Sequence, residues 1–282
     1  TRLNNLQSLI DLEKFRGKFV NEFPTKWFDK IFVKNINIES TFNDAKISLD
    51  ISKNPTEEIF DKTHYINTIK SDINISDFHL ESHLNLFDNK EVGYFYNELW
   101  TLCPAAFTSP YRYNSELIKR AHASAVYDKY FENVVSFINQ YFNLNIDKIE
   151  MIEIEGISRF MVTTQNLDHA VDLTKFGEGL QRVFEIGLLL CYCKNGTLFI
   201  DELDSAIHKK LLIPFTEFIQ KMSNEFNVQV FLTSHSKECI DAFVENNYPD
   251  DELMAYSFQE ENGQLVSRFL EGSIHWSLIR KR

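Results

Sequence analysis

Three short clusters in the second half of the chain combine residue types that handle phosphate and divalent metal. The first is Phe176-Gly177-Glu178-Gly179-Leu180-Gln181-Arg182, directly ahead of an apolar run through Val183, Phe184, Gly187, Leu188 and Cys191. Two glycines let the backbone approach a ligand closely, and a helix amino terminus offers unpaired N–H groups and the positive end of its dipole to an anion. An ordinary turn has the same requirement, so this cluster alone leaves both readings open. The second is Thr197-Leu198-Phe199-Ile200-Asp201-Glu202, an apolar strand that ends in adjacent carboxylates. Ligands of open α/β sheets gather at the carboxyl ends of strands, where Asp201 would hold a Mg²⁺ and Glu202 would orient an attacking water. Neighbouring strand residues point to opposite faces, which suits two separate tasks; a solvated strand end is the competing reading. The third is the apolar run Val228 to Leu232 followed by Thr233-Ser234-His235-Ser236, where His235 would reach a γ-phosphate or serve structure alone.

These clusters need elements that bring them to one edge. Asn195-Gly196 is a helix stop between the first two. Ser205 to Phe226 has helical spacing with a restart expected at Pro214, giving a strand, helix, strand unit whose parallel strands are adjacent or nearly so. Its polar strand ends then share one side. Ahead of it, Lys148 to Glu155 and Ser158 to Thr164 form a hairpin about Gly156-Ile157. From Asn114 to Phe142 the apolar positions fall largely on one helical face, which predicts one long helix, an arm or lever packed on its neighbours. The alternation Ile47, Leu49, Ile51 predicts a strand of a small antiparallel unit, followed by polar, asparagine-rich sequence to about Asn89. Leu3, Leu6, Leu9, Ile10 and Leu12 predict a helix, and strands near 253–258 and 265–269 joined at Asn262-Gly263 close the domain. The expected division is 1–90, 91–147 as a helical insertion or arm, and 148–282 carrying the chemistry.

Composition narrows the classes. The chain has 282 residues, 44% apolar and 25% charged, with a net charge of -12. That charge opposes a surface that coats DNA, since neutralising phosphates needs a basic face. Two local basic clusters remain, Lys14 to Lys34 and Arg280-Lys281-Arg282, so contact with DNA or an acidic partner stays open beside simple solvated charge. Cys103, Cys191, Cys193 and Cys239 lie in apolar settings without metal or redox spacing, as expected of reduced thiols in a cytoplasmic protein. No apolar stretch is long enough to span a bilayer, and no membrane role is expected.

Taken in order, these motifs resemble those of the ABC-type AAA ATPases related to the overcoming-lysogenisation-defect proteins and, more distantly, to chromosome-maintenance and recombination ATPases. Gly177-Glu178-Gly179-Leu180-Gln181-Arg182 resembles the ABC signature, Leu198 to Glu202 a Walker B strand, Asp204-Ser205-Ala206-Ile207-His208 a D-loop, and Thr233-Ser234-His235-Ser236 a switch-histidine loop. The resemblance covers the last third to two fifths of the chain. It implies an α/β P-loop NTPase core of ABC-ATPase type with an antiparallel β subdomain and a helical insertion. ATP and Mg²⁺ are the implied ligands, with Asp201 on the metal and Glu202 and His235 catalytic. Gly177, Glu178, Gly179, Gln181, Ser205 and His208 would border nucleotide in a composite site shared by a homodimer or higher oligomer. Two departures stand out. Gly177 replaces the usual signature serine, and no GxxxxGK[ST] occurs in the chain. Thr1-Arg2-Leu3 leading into a helix resembles the end of a Walker A motif, which would make Thr1 a second Mg²⁺ ligand. Relatives of this type work in bacterial antiphage defence, which implies a sensor or scaffold ATPase controlling a separate nuclease or toxin effector, with a phage protein as one candidate trigger. The alternatives are a DNA-repair or recombination ATPase, a metal-dependent nuclease using Asp201, Glu202 and Asp204, and an assembly module that binds ATP without hydrolysing it.

Overall fold

The computed structural model describes residues 35–270, apart from 43–44, 56–58, 61–62, 76, 88–91, 97–102, 112, 155–156, 247–252 and 262–263. The expectations for Thr1, for the helix from Leu3 to Leu12 and for both basic clusters lie outside the described residues. The chain forms two compact units, one from residues 1–105 and 111–113, the other from 106–110 and 114–282.

The first unit is an antiparallel sheet. Its strands are β1 (Ile36–Phe42), β2 (Ala45–Pro55), β3 (Ile59–Phe60), β4 (Thr63–Ile75), β5 (Phe78–Phe87) and β6 (Val92–Tyr96), in the order β1-β2-β4-β5-β6 with β3 also on β4. The register pairs Leu49 with Ile73 and Ile73 with Leu80, so three buried aliphatic side chains line up across three strands. That ladder is what the Ile47, Leu49, Ile51 alternation calls for. The polar, asparagine-rich stretch up to Asn89 carries long strands. One-sided burial explains this: Ile73 and Leu80 are buried and Ile75 half-buried, in a sheet whose other face is polar.

The second unit opens within β7 (Ala105–Thr108) and continues with α1 (Ser115–Tyr127), α2 (Phe131–Phe142), β8 (Ile146–Ile154), β9 (Ile157–Thr164) and β10 (Val171–Asp172). A 3₁₀ turn over Leu173–Phe176 leads into α3 (Glu178–Tyr192), and then come β11 (Thr197–Ile200), α4 (Lys209–Phe226), β12 (Gln229–Leu232), α5 (Lys237–Glu245), β13 (Ala255–Glu261) and β14 (Gln264–Leu270). β11 lies between β12 and β7 and runs parallel to β12, with Ile200 opposite Leu232. The expected hairpins β8-β9 and β13-β14 are both present and antiparallel.

The helical region after Asn114 corrects the expectation of one long helix. Asn114 caps α1, its side chain accepting from the Leu117 N–H at 3.1 Å, and the chain breaks at Asp128-Lys129-Tyr130 with Lys129 at φ 59°. Both helices pack on their neighbours, as expected of that segment. Ile118, Ala121 and Ala125 of α1 and Val134, Val135 and Ile138 of α2 belong to the core around α3. A break lets each helix turn its apolar stripe onto that core, which one straight rod of this length does not achieve. Pro214 likewise lies inside α4 without restarting it. The lost hydrogen bond and ring clash cost about 3 kcal/mol in an isolated helix, and burial of Leu211, Leu212, Phe215, Ile219 and Met222 offsets this.

α3 is the centre of the unit, buried on nearly every side from Leu180 to Cys191. Phe184 meets Phe160 edge-on with ring centroids 4.9 Å apart. At Gly187 a Cβ would stand 2.9 Å from a methyl of Val134, so α2 approaches as closely as it does only because that residue lacks a side chain. The four cysteines are buried and form no disulfide. Among the described residues no helix is long and apolar enough to cross a membrane.

Candidate active site

The site is assembled where β7, β11 and β12 end. Parallel pairing carries the chain out of β11 at Asp201 and out of β12 at Thr233, side by side, as the strand, helix, strand pattern predicts. The Thr233 hydroxyl donates to Asp201 Oδ1 at 2.9 Å and accepts from the Glu202 N–H at 3.0 Å. Backbone bonds continue the clasp: Thr233 N–H to the Ile200 carbonyl and Leu203 N–H to the Thr233 carbonyl, each 3.0 Å. Asp201 is 8% exposed and Glu202 is half-buried.

Strand alternation does not set the directions of these two side chains, because both lie beyond the strand. β11 stops at Ile200, and Glu202 adopts φ 49°, a left-handed conformation uncommon for a residue with a side chain. Ala206, at φ 63°, closes the same turn. Such conformations persist where surrounding bonds hold them, and here Ser205 N–H donates to the Glu202 carbonyl and Ile207 N–H to the Asp204 carbonyl at 3.0 and 3.1 Å.

The glycine-rich cluster lies against this turn. Gly177 has φ 93°, which restricts the position to glycine in practice, and begins α3 without a side-chain cap. A Cβ on Gly179 would stand 2.6 Å from the Ala206 carbonyl oxygen, so the bare Cα lets the signature-like helix rest on the D-loop-like turn of the same chain. Gly177 and Glu178 are exposed, Gly179 and Gln181 half-buried, and the Gln181 amide donates to the Thr174 carbonyl at 3.4 Å.

The remaining candidates have local roles as well. Ser234 Oγ donates to Asp204 at 2.5 Å and accepts from the Ser236 N–H, and Ser236 Oγ accepts from the Cys239 N–H at the start of α5. His208 caps α4, its Nδ1 accepting from the Lys210 N–H at 3.2 Å. Ser205 is half-buried in the turn, and His235 is exposed just beyond β12. The structure thus gathers Asp201, Glu202, Asp204, Ser205 and Gly179 around one turn, with Thr233 clasping it.

Sequence reasoning named Arg182 within a motif but missed its role, and missed Thr108 and Glu185 altogether. Arg182 is 5% exposed; its Nη2 donates to the Asp201 carbonyl at 2.8 Å and its Nη1 to Thr108 Oγ1 at 2.5 Å. Thr108 in turn donates to Glu185 at 2.6 Å, and the Thr108 carbonyl accepts from the Asp201 N–H. Burial lowers the Arg182 pKa, opposed by the nearby Glu185, Asp201 and Glu202 charges, and burial raises that of Glu185. The sequence signal was a charged pair spaced i, i+3 inside an otherwise apolar helix.

A Mg²⁺ ion is commonly held by one or two carboxylates, with phosphate and water completing its oxygen shell. One mostly buried carboxylate at a strand end, oriented by a threonine, fits that use. Asp201, Glu202 and Asp204 do not form an all-protein metal cage: among the described residues the one grouping of three close metal-ligating side chains is Asp72, His79 and Glu81 in the first unit. There the Lys70 ammonium already stands 3.2 and 3.1 Å from the two carboxylates.

Residues 42–241 match the family model described as AAA domain, putative AbiEii toxin, Type IV TA system, a span that includes every candidate site residue except Thr1. The uncharacterized protein MJECL11 of Methanocaldococcus jannaschii is 40% identical over 70 residues, 25% of this chain and 61% of that protein. An ATP/GTP phosphatase of Helicobacter pylori is 26% identical over 151 residues, 51% of this chain and 40% of that protein. The chain therefore spans well under the full length of both. Among solved structures it is similar to an SMC head domain from Thermotoga maritima (12% identity, 73% of this chain, 74% of that chain, TM-score 0.39). It is similar also to an Smc head bound to the C-winged helix domain of ScpA (13% identity, 73% and 74%, TM-score 0.40). The core is an α/β fold of the P-loop NTPase class, and by the match over 42–241 this chain belongs to the AAA domain family of the putative AbiEii-toxin, Type IV toxin-antitoxin type.

Proposed function

We propose that the protein binds ATP with Mg²⁺ and hydrolyses it in the manner of an ABC-type ATPase, in sites shared between two copies of itself. The single observation that carries this reading is the clasp at the strand ends, where Thr233 of the switch-like loop holds both Asp201 and Glu202 of the Walker B-like strand. Asp201 would hold the Mg²⁺ ion, which supplies positive charge to phosphate oxygens. Glu202, next in the chain to Asp201 and half-buried at the strand end, accepts a hydrogen bond from the attacking water and takes up its proton. His235, exposed beyond β12, offers an imidazole N–H to the terminal phosphate. The exposed start of α3 at Gly177 and Glu178 presents backbone N–H groups to the nucleotide of a second copy, while Gln181, Ser205 and His208 border that surface. Thr1 is proposed as a further oxygen ligand for the metal.

The finer reading follows the family description and the resemblance to overcoming-lysogenisation-defect proteins. In it, the protein is a cytoplasmic sensor or scaffold subunit of an antiphage-defence complex, and ATP-driven closure controls a separate nuclease or toxin effector in response to a phage protein. The metal-dependent nuclease alternative gains no support from the geometry, since Asp204 is engaged by Ser234 and no metal cage forms with Asp201 and Glu202.

The test is nucleotide binding and mass in solution for the full-length protein. ATP should bind in a Mg²⁺-dependent way, Asp201→Asn should lose that dependence, and Glu202→Gln with ATP should shift from monomer to dimer mass or larger. Binding that ignores Mg²⁺, or is unchanged in Asp201→Asn, removes the proposed site.

A further inference from the structure

We infer that Arg182 is a positioning residue that makes the first turns of α3 and the Asp201–Ala206 turn a single mechanical piece, so that any displacement of the signature-like helix is carried to Asp201 and Glu202. Two contacts at one helical spacing support it. Gly179 and Arg182, three residues apart on α3, meet the two ends of the same turn: Gly179 lies under the Ala206 carbonyl, and Arg182 donates to the Asp201 carbonyl. Residues so spaced lie on one helix face, so the turn is held at both ends by one surface. The third attachment is β7, because Thr108 accepts from Arg182 through its hydroxyl and from the Asp201 N–H through its carbonyl.

A stabilising role alone is a poor account of this residue. Arg182 is buried with its Nε lacking any hydrogen-bond partner, beside a carboxylate whose own charge burial disfavours. Burying such a group is costly, and an apolar side chain of similar volume often serves stability as well or better. What an apolar side chain cannot do is fix a backbone carbonyl to a helix through a directional bond. The Asp201 carbonyl directly precedes the left-handed Glu202, so its direction fixes where the Glu202 side chain emerges.

The kinetic part of the inference rests on the ATPase reading above; the mechanical part does not. The experiment uses full-length protein with Arg182→Lys, which keeps the charge but not the fork, and Thr108→Val, which removes the hydroxyl at nearly constant volume. Hydrogen exchange of the 197–206 segment is measured without nucleotide, together with kcat, KM and thermal unfolding. The expected result is faster exchange confined to 201–206, with β8 and β9 unchanged. A fall in kcat of about 10-fold to 100-fold at nearly constant KM should accompany it, as for groups that orient a ligand-bearing side chain from behind. Unchanged exchange at 201–206, or faster exchange spread evenly over the whole unit, overturns the inference. Loosened exchange with unaltered kcat overturns its bearing on catalysis. If Arg182→Lys fails to fold, Thr108→Val decides both points. If the wild-type protein turns over no ATP, the ATPase reading fails separately while exchange still decides the mechanical claim.

Discussion

Both units set a basic side chain between acids, and the two arrangements behave differently. In the first unit, Asp72 and Glu81 face each other across β4 and β5, a repulsive placement relieved by Lys70 at 3.2 and 3.1 Å and by His79. Hydrogen bonds to Glu81 and Asp72 raise the Lys70 pKa, and the Lys70, Asp72 and Glu81 side chains are 32%, 23% and 35% exposed, although Asp72 Oδ1 itself is buried. In the second unit, Arg182, Glu185 and Thr108 are enclosed, and burial pushes the arginine pKa down and the carboxyl pKa up. The exposed cluster can exchange partners with solvent at little cost. The buried one holds a fixed geometry because Arg182 and Thr108 are enclosed and Glu185 is only 13% exposed. A functional strand end needs the second kind of support.

The largest expected effect on stability comes from breaking the buried network. Arg182→Ala should destabilise the second unit by about 3–5 kcal/mol, the usual cost of removing one member of a buried charged set, read from chemical denaturation. Gly179→Ala comes next. Its methyl would enter the space of the Ala206 carbonyl, so about 1–3 kcal/mol is expected from overpacking, together with altered exchange at the turn. A pH series sharpens the comparison further. Because burial holds the Glu185 carboxyl above its ordinary value of 4.5, the protonated form is favoured in the folded state. Its contribution to stability is complete below that ordinary value and is lost as the pH rises through the folded-state pKa. Glu185→Gln should flatten that decline, and a denaturation series on both proteins would show it. The smallest effect belongs to Lys70→Ala, at most about 1 kcal/mol for a solvent-exposed pair. A larger loss there would erase the distinction between the two clusters.

The sequence made some of this legible and hid the rest for physical reasons. β11 and β12 were readable because uniformly apolar runs ending in polar residues mark buried parallel strands, and Asn195-Gly196 marked the end of α3. The candidate residues from Gly177 to His235 were readable as a motif order. The break at Lys129 was not, since neither glycine nor proline signals it and packing on α3 decides it. Nor was the passage of α4 through Pro214, where core burial outweighs a local preference. The Thr108 to Arg182 bond joins residues 74 positions apart, and no spacing rule reaches across that distance. The long strands of the first unit were obscured by their polar face, which one buried aliphatic ladder is enough to support.

The central claim is that the clasped strand end hydrolyses ATP. The most direct test is the rate of ATP turnover by the full-length protein with Mg²⁺, wild type against Glu202→Gln. Loss of the group proposed to accept the proton of water should slow turnover by about 10²-fold to 10⁴-fold, while ATP binding is retained. Equal turnover in the two proteins would contradict the account.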